Sequence, residues 1–174
     1  MQAMAEQNTT KGTIFAIDPG NTESGYVIAE HNGEEITRVT HKGKIANEKL
    51  LRIIEMSPVS IHVAIEMVAS YGMPVGAEVF DTCVWIGRFT QAAQGRTIER
   101  IYRKDEKLYL CGKLTAKDSN ISQALVDRFA PGQPNKGKGT VKNPGFFYGF
   151  SKDMWAAMAV ATTYFDKNIR KIPL

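Results

Sequence analysis

The run Thr13-Ile14-Phe15-Ala16-Ile17-Asp18, stopped by Pro19-Gly20, constrains this chain more than any other segment. Its β-branched and aromatic residues follow one another without polar alternation, which predicts a buried strand rather than a surface one. Pro-Gly then forces a turn. A carboxylate that closes such a strand is costly unless it is solvated, paired or bound to a cation. Asp18 is therefore both a structural marker and a chemical question.

The elements that follow can be read around that strand. Ser24 to Glu30 predicts a second strand, His31-Asn32-Gly33 a hairpin turn, and Glu35 to His41 a third strand. Asn47 to Met56 places Leu50, Leu51, Ile53 and Ile54 at helical spacing, with Pro58 beyond its end. Ile61 to Glu66 is a fourth, largely apolar strand of the buried kind. Val75 to Ala93 reads as a helix with Val79, Cys83, Ile86 and Phe89 inward, and Thr97 to Tyr102 as a fifth strand. Lys117 to Phe129 and Ser151 to Lys167 read as helices, the second capped by Ser151. Residues 131–149, rich in Gly, Pro and Lys, read as a mobile surface loop. The order predicts an α/β fold: a meander of three antiparallel strands, then parallel strands, with helices on the faces of one mixed sheet. A disordered tail over residues 1–12 and a single domain over 13–174 complete the expected organisation.

Composition sets the bounds. At 174 residues, 43% hydrophobic and 23% charged, the chain can bury a core as one domain. No apolar run approaches the ~20 residues of a membrane span, and the polar start lacks a secretory signal. Cys83 and Cys111 read as two reduced, buried thiols of an intracellular protein, too few for a zinc site or a disulfide framework. Net charge is +4, but residues 1–102 carry 9 basic and 12 acidic side chains, whereas 103–142 carry 9 and 4. A polyanion facing the C-terminal part fits that asymmetry, and so does an ordinary solvated surface.

Asp18 is not alone. Glu66 ends the fourth strand, and ligands in such sheets gather at the carboxyl ends of strands. Separately, Asp18 could accept hydrogen bonds in its turn and Glu66 could pair with a lysine. Together, at adjacent strand ends, they point to a shared hard cation such as Mg²⁺ or Mn²⁺. Asp153 opens the last helix, where the helix dipole alone could explain it. The small residues Ala156, Ala157 and Ala161 would let that helix lie close to the sheet and bring Asp153 to the other two. Three converging carboxylates could hold two cations roughly 3.5–4 Å apart for attack of water on a phosphodiester.

Ile17-Asp18-Pro19-Gly20 followed by Gly25-Tyr26, then Ala64-Ile65-Glu66, then Asp153 heading an Ala-rich helix, resemble in that order the RuvC-like Holliday junction resolvases of the RNase H-like nucleases. The similarity spans Thr13 to Lys167 and leans toward phage and prophage members, because the Gly- and Lys-rich loop before Asp153 is long. It implies an RNase H-like fold and paired nicking of branched DNA, the four-way junction above all, by a homodimer. Asp18, Glu66 and Asp153 would be metal ligands for Mg²⁺, with Mn²⁺ able to substitute and two ions per site. The family usually carries two metal-binding side chains one helical turn apart at this helix; here they are Asp153 and Ala156. Asp81, in the preceding long helix, is the remaining acidic candidate.

Lys107 and Lys117 resemble family lysines that contact DNA near the scissile phosphate. Arg103, Lys104 and Lys113 could add nonspecific phosphate contacts, and Lys136, Lys138 and Lys142 could track a backbone from the loop. Tyr71 stands where the family places an aromatic that stacks on an unpaired base, with Met73 and Pro74 beside it. The cytoplasm of a bacterial or phage-infected cell, on nucleoid DNA, is the expected location. Three other readings stay open: a YqgF-type ribonuclease acting on ribosomal RNA precursors, a sugar-kinase or actin-like ATPase, and a non-catalytic junction-binding module. The ATPase class needs a second phosphate loop and a second subdomain, neither of which 174 residues provide.

Overall fold

The computed structural model describes residues 10–174. Most of the expected tail, residues 1–9, lies outside the described residues. Gly12 does not belong to a tail, because it opens the first strand opposite His31. Five strands form one sheet in the order β3-β2-β1-β4-β5. They are β1 (Gly12–Asp18), β2 (Glu23–His31), β3 (Ile36–Ala46), β4 (His62–Met67) and β5 (Thr97–Tyr102). β1, β2 and β3 pair antiparallel, and β4 and β5 run parallel to β1. This is the mixed α/β sheet that the order of elements predicts.

The helices are α1 (Asn47–Met56), α2 (Ala77–Ala92), α3 (Arg103–Cys111), α4 (Asp118–Phe129) and α5 (Lys152–Tyr164), the last running on into a π-helical turn, Phe165–Ile169. α1 and α2 cover one face of the sheet and α5 the other, with α4 and α3 beside α5. Strand alternation decides what each helix meets. Phe15, Ile17, Val63 and Ile65 point toward α1 and α2, where Leu50, Ile54, Ile86 and Phe89 meet them. Ala16, Ala29 and Ala64 point toward α5, which answers with Ala157 and Ala161. Small residues on both sides of that interface let α5 lie close to the sheet.

One contact is tighter than the rest. A Cβ placed on Gly25 would lie 2.6 Å from the backbone oxygen of Asp153 and 2.7 Å from its Cβ. Only glycine lets the first turn of α5 rest there, directly beside Asp18, the residue that pairs with Gly25 across β1 and β2.

Three sequence expectations change. β3 runs on to Ala46, past His41, because Lys42 to Ala46 continue to pair with Glu23 to Val27. α3 was not expected: its polar start, Arg-Lys-Asp-Glu-Lys, carries too few apolar residues to show a helical period. Segment 131–149 is more built than its Gly, Pro and Lys content suggests. It contains a short 3₁₀ turn, Asn135–Gly137, and an isolated bridge between Gly139 and Pro144. Its end is pinned by Phe147, which is fully buried with ring centroids 4.3 Å from Trp155 and 5.1 Å from Phe150, while Phe146 stacks on Phe129 at 4.9 Å. Smaller differences concern Ser151, which stands at the start of α5 without a capping side-chain hydrogen bond, and both cysteines with Val79, which are half-buried rather than buried.

Gly25→Ala tests the close approach. The clash is with backbone, which cannot swing aside as a side chain would, so the first turn of α5 must lift. The expected cost is about 1–3 kcal/mol, or roughly 2–12 °C in Tm for a chain of this size, measured by thermal unfolding. An unchanged Tm would mean that α5 does not rest on β2 in this way.

A carboxylate cluster at the carboxyl edge of the sheet

Strand register brings the acidic residues together. β1 and β4 pair in parallel with Ala16 beside Ala64 and Ile17 beside Ile65, so Asp18 and Glu66 come next on neighbouring strands. Two residues on from Ala16 and Ala64, both side chains share the α5 face. Adjacent strands are about 4.8 Å apart, and the two carboxyls lie within hydrogen-bonding reach of each other. The Pro19-Gly20 turn does not use Asp18. Ser24 Oγ accepts the Gly20 N–H at 3.1 Å and donates to Asn47 Oδ1 at 2.6 Å, while Asn47 Nδ2 donates to the Gly20 carbonyl at 2.9 Å. Glu66, for its part, forms no ion pair among the described residues. The two structural alternatives for these carboxylates are therefore absent.

Their electrostatics follow from that isolation. Burial, then the Glu66 charge beside it, pushes Asp18 up to about 8, with Asp153 adding to the rise and Arg103 opposing it. Burial, then the Glu106 charge, pushes Glu66 up to about 7 against the pull of Arg103. Without a cation, both carboxyls are shifted toward the protonated form.

Asp153 reaches the same place from α5 but faces another neighbour. Its Oδ2 lies 3.3 Å from Lys44 Nζ. Lys44 pairs with Gly25 on β3, so Lys44, Gly25 and Asp18 form one row across three strands, with Glu66 next in line. Among the described residues, no three His, Cys, Asp or Glu side chains are grouped closely enough to hold one metal ion. Asp153, drawn toward Lys44, leaves the group open.

α3 adds what the sequence did not reveal. Arg103, at the strand-to-helix junction after β5, donates through Nη1 to Glu106 Oε2 and through Nη2 to Asp118 Oδ1 at 2.5 Å. Glu106 is fully buried, and its Oε1 has no hydrogen-bond partner. Burial raises Glu106 to about 7 although Arg103 opposes the rise. The Arg103 side chain is 24% exposed and that of Asp118 76%. A cleft of about 130 Å³ is lined by Asp18, Arg103, Asp118, Lys152, Asp153, Trp155 and Ala156, among others. Ala156 thus faces the site without contributing a ligand.

The remaining candidates spread outward. Lys107, on α3, is half-buried and close enough to act on Asp118, as Lys152 also does. Lys117 is exposed at the start of α4, where its N–H donates to Asn120 Oδ1 at 2.9 Å, and Lys113 is exposed between the two helices. Lys104 lies over the Tyr102 ring at 5.7 Å. Lys136 is exposed and Lys138 half-buried on the 131–149 segment. Tyr71 is 65% exposed, with Met73, in the loop after β4; its φ of 47° is unusual for a residue with a side chain. Asp81 is exposed on α2 and lines neither cleft that contains Asp18. A larger groove of about 830 Å³ opens at the opposite edge of the sheet, near Gly12, His31 and Ile61. Its one carboxylate, Glu30, is committed to Arg38 at 2.7 Å.

Sheet order and register are those of a mixed, RNase H-like α/β fold. Among solved structures the chain is similar to Thermus thermophilus RuvC, with a TM-score of 0.66 and 17% identity over 91% of this chain and 96% of that one. It is also similar to T. thermophilus RuvC in complex with Holliday junction substrate, with a TM-score of 0.60 and 15% identity over 88% and 92% of the two chains. No family model and no curated protein matches the sequence. No helix among the described residues is long and apolar enough to cross a membrane.

A carboxyl raised above its unfolded value binds its proton more tightly when folded. That stability is present below the ordinary value of 3.8 and is lost as pH climbs toward about 8. Asp18→Asn removes this loss. In metal-free buffer it should raise Tm at pH 8 by roughly 2–8 °C, about 1–2 kcal/mol, and change little near pH 4. A variant equally stable at both ends of the range, or less stable at pH 8, would contradict the raised-carboxyl account.

Proposed function

We propose that this chain is a divalent-cation-dependent endonuclease that hydrolyses phosphodiesters in branched DNA, four-way junctions above all, by paired nicks. The observation that carries this reading is the placement of Asp18 beside Glu66 at adjacent strand ends, both half-buried and neither in an ion pair among the described residues. Such a pair is a liability without a bound charge, and all its donors are the hard oxygens that Mg²⁺ and Mn²⁺ prefer. The donor chemistry fits a cation, with Asp18, Glu66 and Asp153 to hold it once Asp153 gives up Lys44. A bound divalent ion there supplies an activated water and neutralises charge on the phosphate.

The chain's own residues do the rest. Lys152 lines the cleft and Lys107 lies close enough to act on Asp118; with Lys117 at the start of α4 they can hold phosphates, while Lys113, Lys136 and Lys138 extend the positive surface. Tyr71, exposed at a loop tip after β4, can stack on a base that an open junction leaves unpaired. The long 131–149 segment is consistent with a phage-type member working on DNA in the cytoplasm of the host.

One site cuts one strand, so paired nicks require two copies. The exposed face of α2, with Phe80 and Val84 each 62% exposed one turn apart, is the surface we assign to the homodimer. Phe80→Glu should give a monomer by light scattering, and single nicks in place of paired ones. A variant that stays dimeric would move the interface elsewhere.

The function is tested by offering junction, flap, linear duplex and structured RNA side by side with Mg²⁺, Mn²⁺ or chelator. Symmetric, metal-dependent nicking of the junction is expected, with linear duplex spared. Asp18→Asn should cut at least ~100-fold more slowly and still bind the junction. Equal cutting by this variant would refute the site. Preferential cleavage of RNA would favour a ribosomal RNA-processing enzyme, and junction binding without cleavage in any cation would favour a non-catalytic module.

A further inference from the structure

Arg103 is built into the acidic centre differently from every lysine around it. Arg103 lines the cleft with Asp18, Asp153 and Ala156. Nη1 is anchored on Glu106, a fully buried carboxylate that reaches no solvent, and Nη2 rests on Asp118, whose side chain is 76% exposed. The first partner is permanent. The second is an exposed carboxylate held on one edge of the guanidinium, where a phosphate could displace it with the same geometry. Of the five guanidinium N–H donors, these two bonds use two.

We propose that Arg103 is a catalytic residue, a fixed cation that donates to the scissile phosphate when that phosphate displaces Asp118, so that the site needs only one divalent ion. The proposal rests on the nuclease reading above. In that hydrolysis the water oxygen bonds to phosphorus as the bond to the 3′ oxygen breaks. The water gives up a proton to solvent, and the departing oxygen takes one from solvent. Charge builds on the phosphoryl oxygens and on the leaving oxygen, and a preorganised guanidinium meets it without reorganising. Two further features agree. Ala156, lining the same cleft, offers no ligand for a second ion. No third carboxylate closes on Asp18 and Glu66 among the described residues. Glu106 is then a positioning residue that fixes the guanidinium from beneath.

The experiment pairs Mn²⁺ binding to the metal-free protein, by calorimetry and electron paramagnetic resonance without DNA, with single-turnover cleavage of a four-way junction. The wild type should bind one Mn²⁺ per protomer. Arg103→Gln should bind Mn²⁺ about tenfold more tightly, because a neighbouring positive charge is gone, yet cut at least ~100-fold more slowly at saturating metal. Arg103→Lys should recover part of the rate. If Arg103→Gln fails to fold because Glu106 is stranded, the double variant Arg103→Gln/Glu106→Gln, which leaves the buried pair neutral, should bind Mn²⁺ about as tightly as the wild type, since one charge of each sign is gone, and still cut at least ~100-fold more slowly. Two Mn²⁺ per wild-type protomer, unchanged or weaker Mn²⁺ binding in a folded Arg103→Gln, or wild-type cleavage by either variant would each overturn the proposal. A wild type that cuts no substrate would instead refute the nuclease reading, and Mn²⁺ stoichiometry and affinity would still judge Arg103 as the fixed cation.

Discussion

The contact between Gly25 and the first turn of α5 holds the rest in place. α5 arrives from the far end of the chain, and its distance from the sheet is set where Gly25 meets the backbone of Asp153. Ala16, Ala29 and Ala64 beneath it, and Ala157 and Ala161 above, keep that distance short along the helix. A larger residue anywhere in this layer would move Asp153 before it moved anything else, because Asp153 sits at the helix end with the least packing to resist. The fold and the site thus share one constraint: a surface of small residues that buys proximity at the expense of buried area.

Proximity creates the electrostatic problem that the site is organised around. Two strand-end carboxyls on one face repel, and desolvation makes each charge dearer still. Three cations answer from three directions. Lys44 comes from the sheet edge beside Gly25, Arg103 from the junction after β5, and Lys152 from the start of α5. None of them pairs with Asp18 or Glu66. Lys44 takes Asp153, Arg103 takes Glu106 and Asp118, and Lys152 acts on Asp118, so neither member of the central pair has a cation of its own.

How much of this the sequence reveals depends on how local the cause is. Asp18 and Glu66 are legible because each closes an apolar strand, and a carboxylate in that position asks for an explanation wherever the strand sits. Helix α1 is legible from Asn47 to Met56 because its apolar spacing and Pro58 are both local. Arg103 and Glu106 are not, because Arg-Lys-Asp-Glu-Lys reads as solvated charge until the chain is known to turn from strand to helix at Tyr102, which buries Glu106 and aims Arg103 at the strands. Lys44 needs the β2–β3 register, and register across a hairpin is a property of two segments. The segment 131–149 misleads for a compositional reason: its lysines, glycines and prolines outnumber the aromatic residues Phe146, Phe147 and Phe150 that actually decide its packing.

That packing gives the charge asymmetry of the chain a geometry. Residues 1–102 carry a balance of −3 and the remainder +7. Split along the sequence, the two halves would merely be two surfaces. The topology folds the second half over the first: α3, α4 and α5 lie on the face of the sheet toward which Asp18 and Glu66 point. Phe147 packs against Trp155 with its ring tilted, and Trp155 lines the cleft with Asp18. The lysines of the 131–149 segment are consequently tied to the acidic centre through an aromatic anchor rather than strung on a free loop. Under the proposed function, a polyanion drawn to those lysines would meet a surface already fixed relative to the carboxylates, so that each lysine contact would also orient the chain about the cleft.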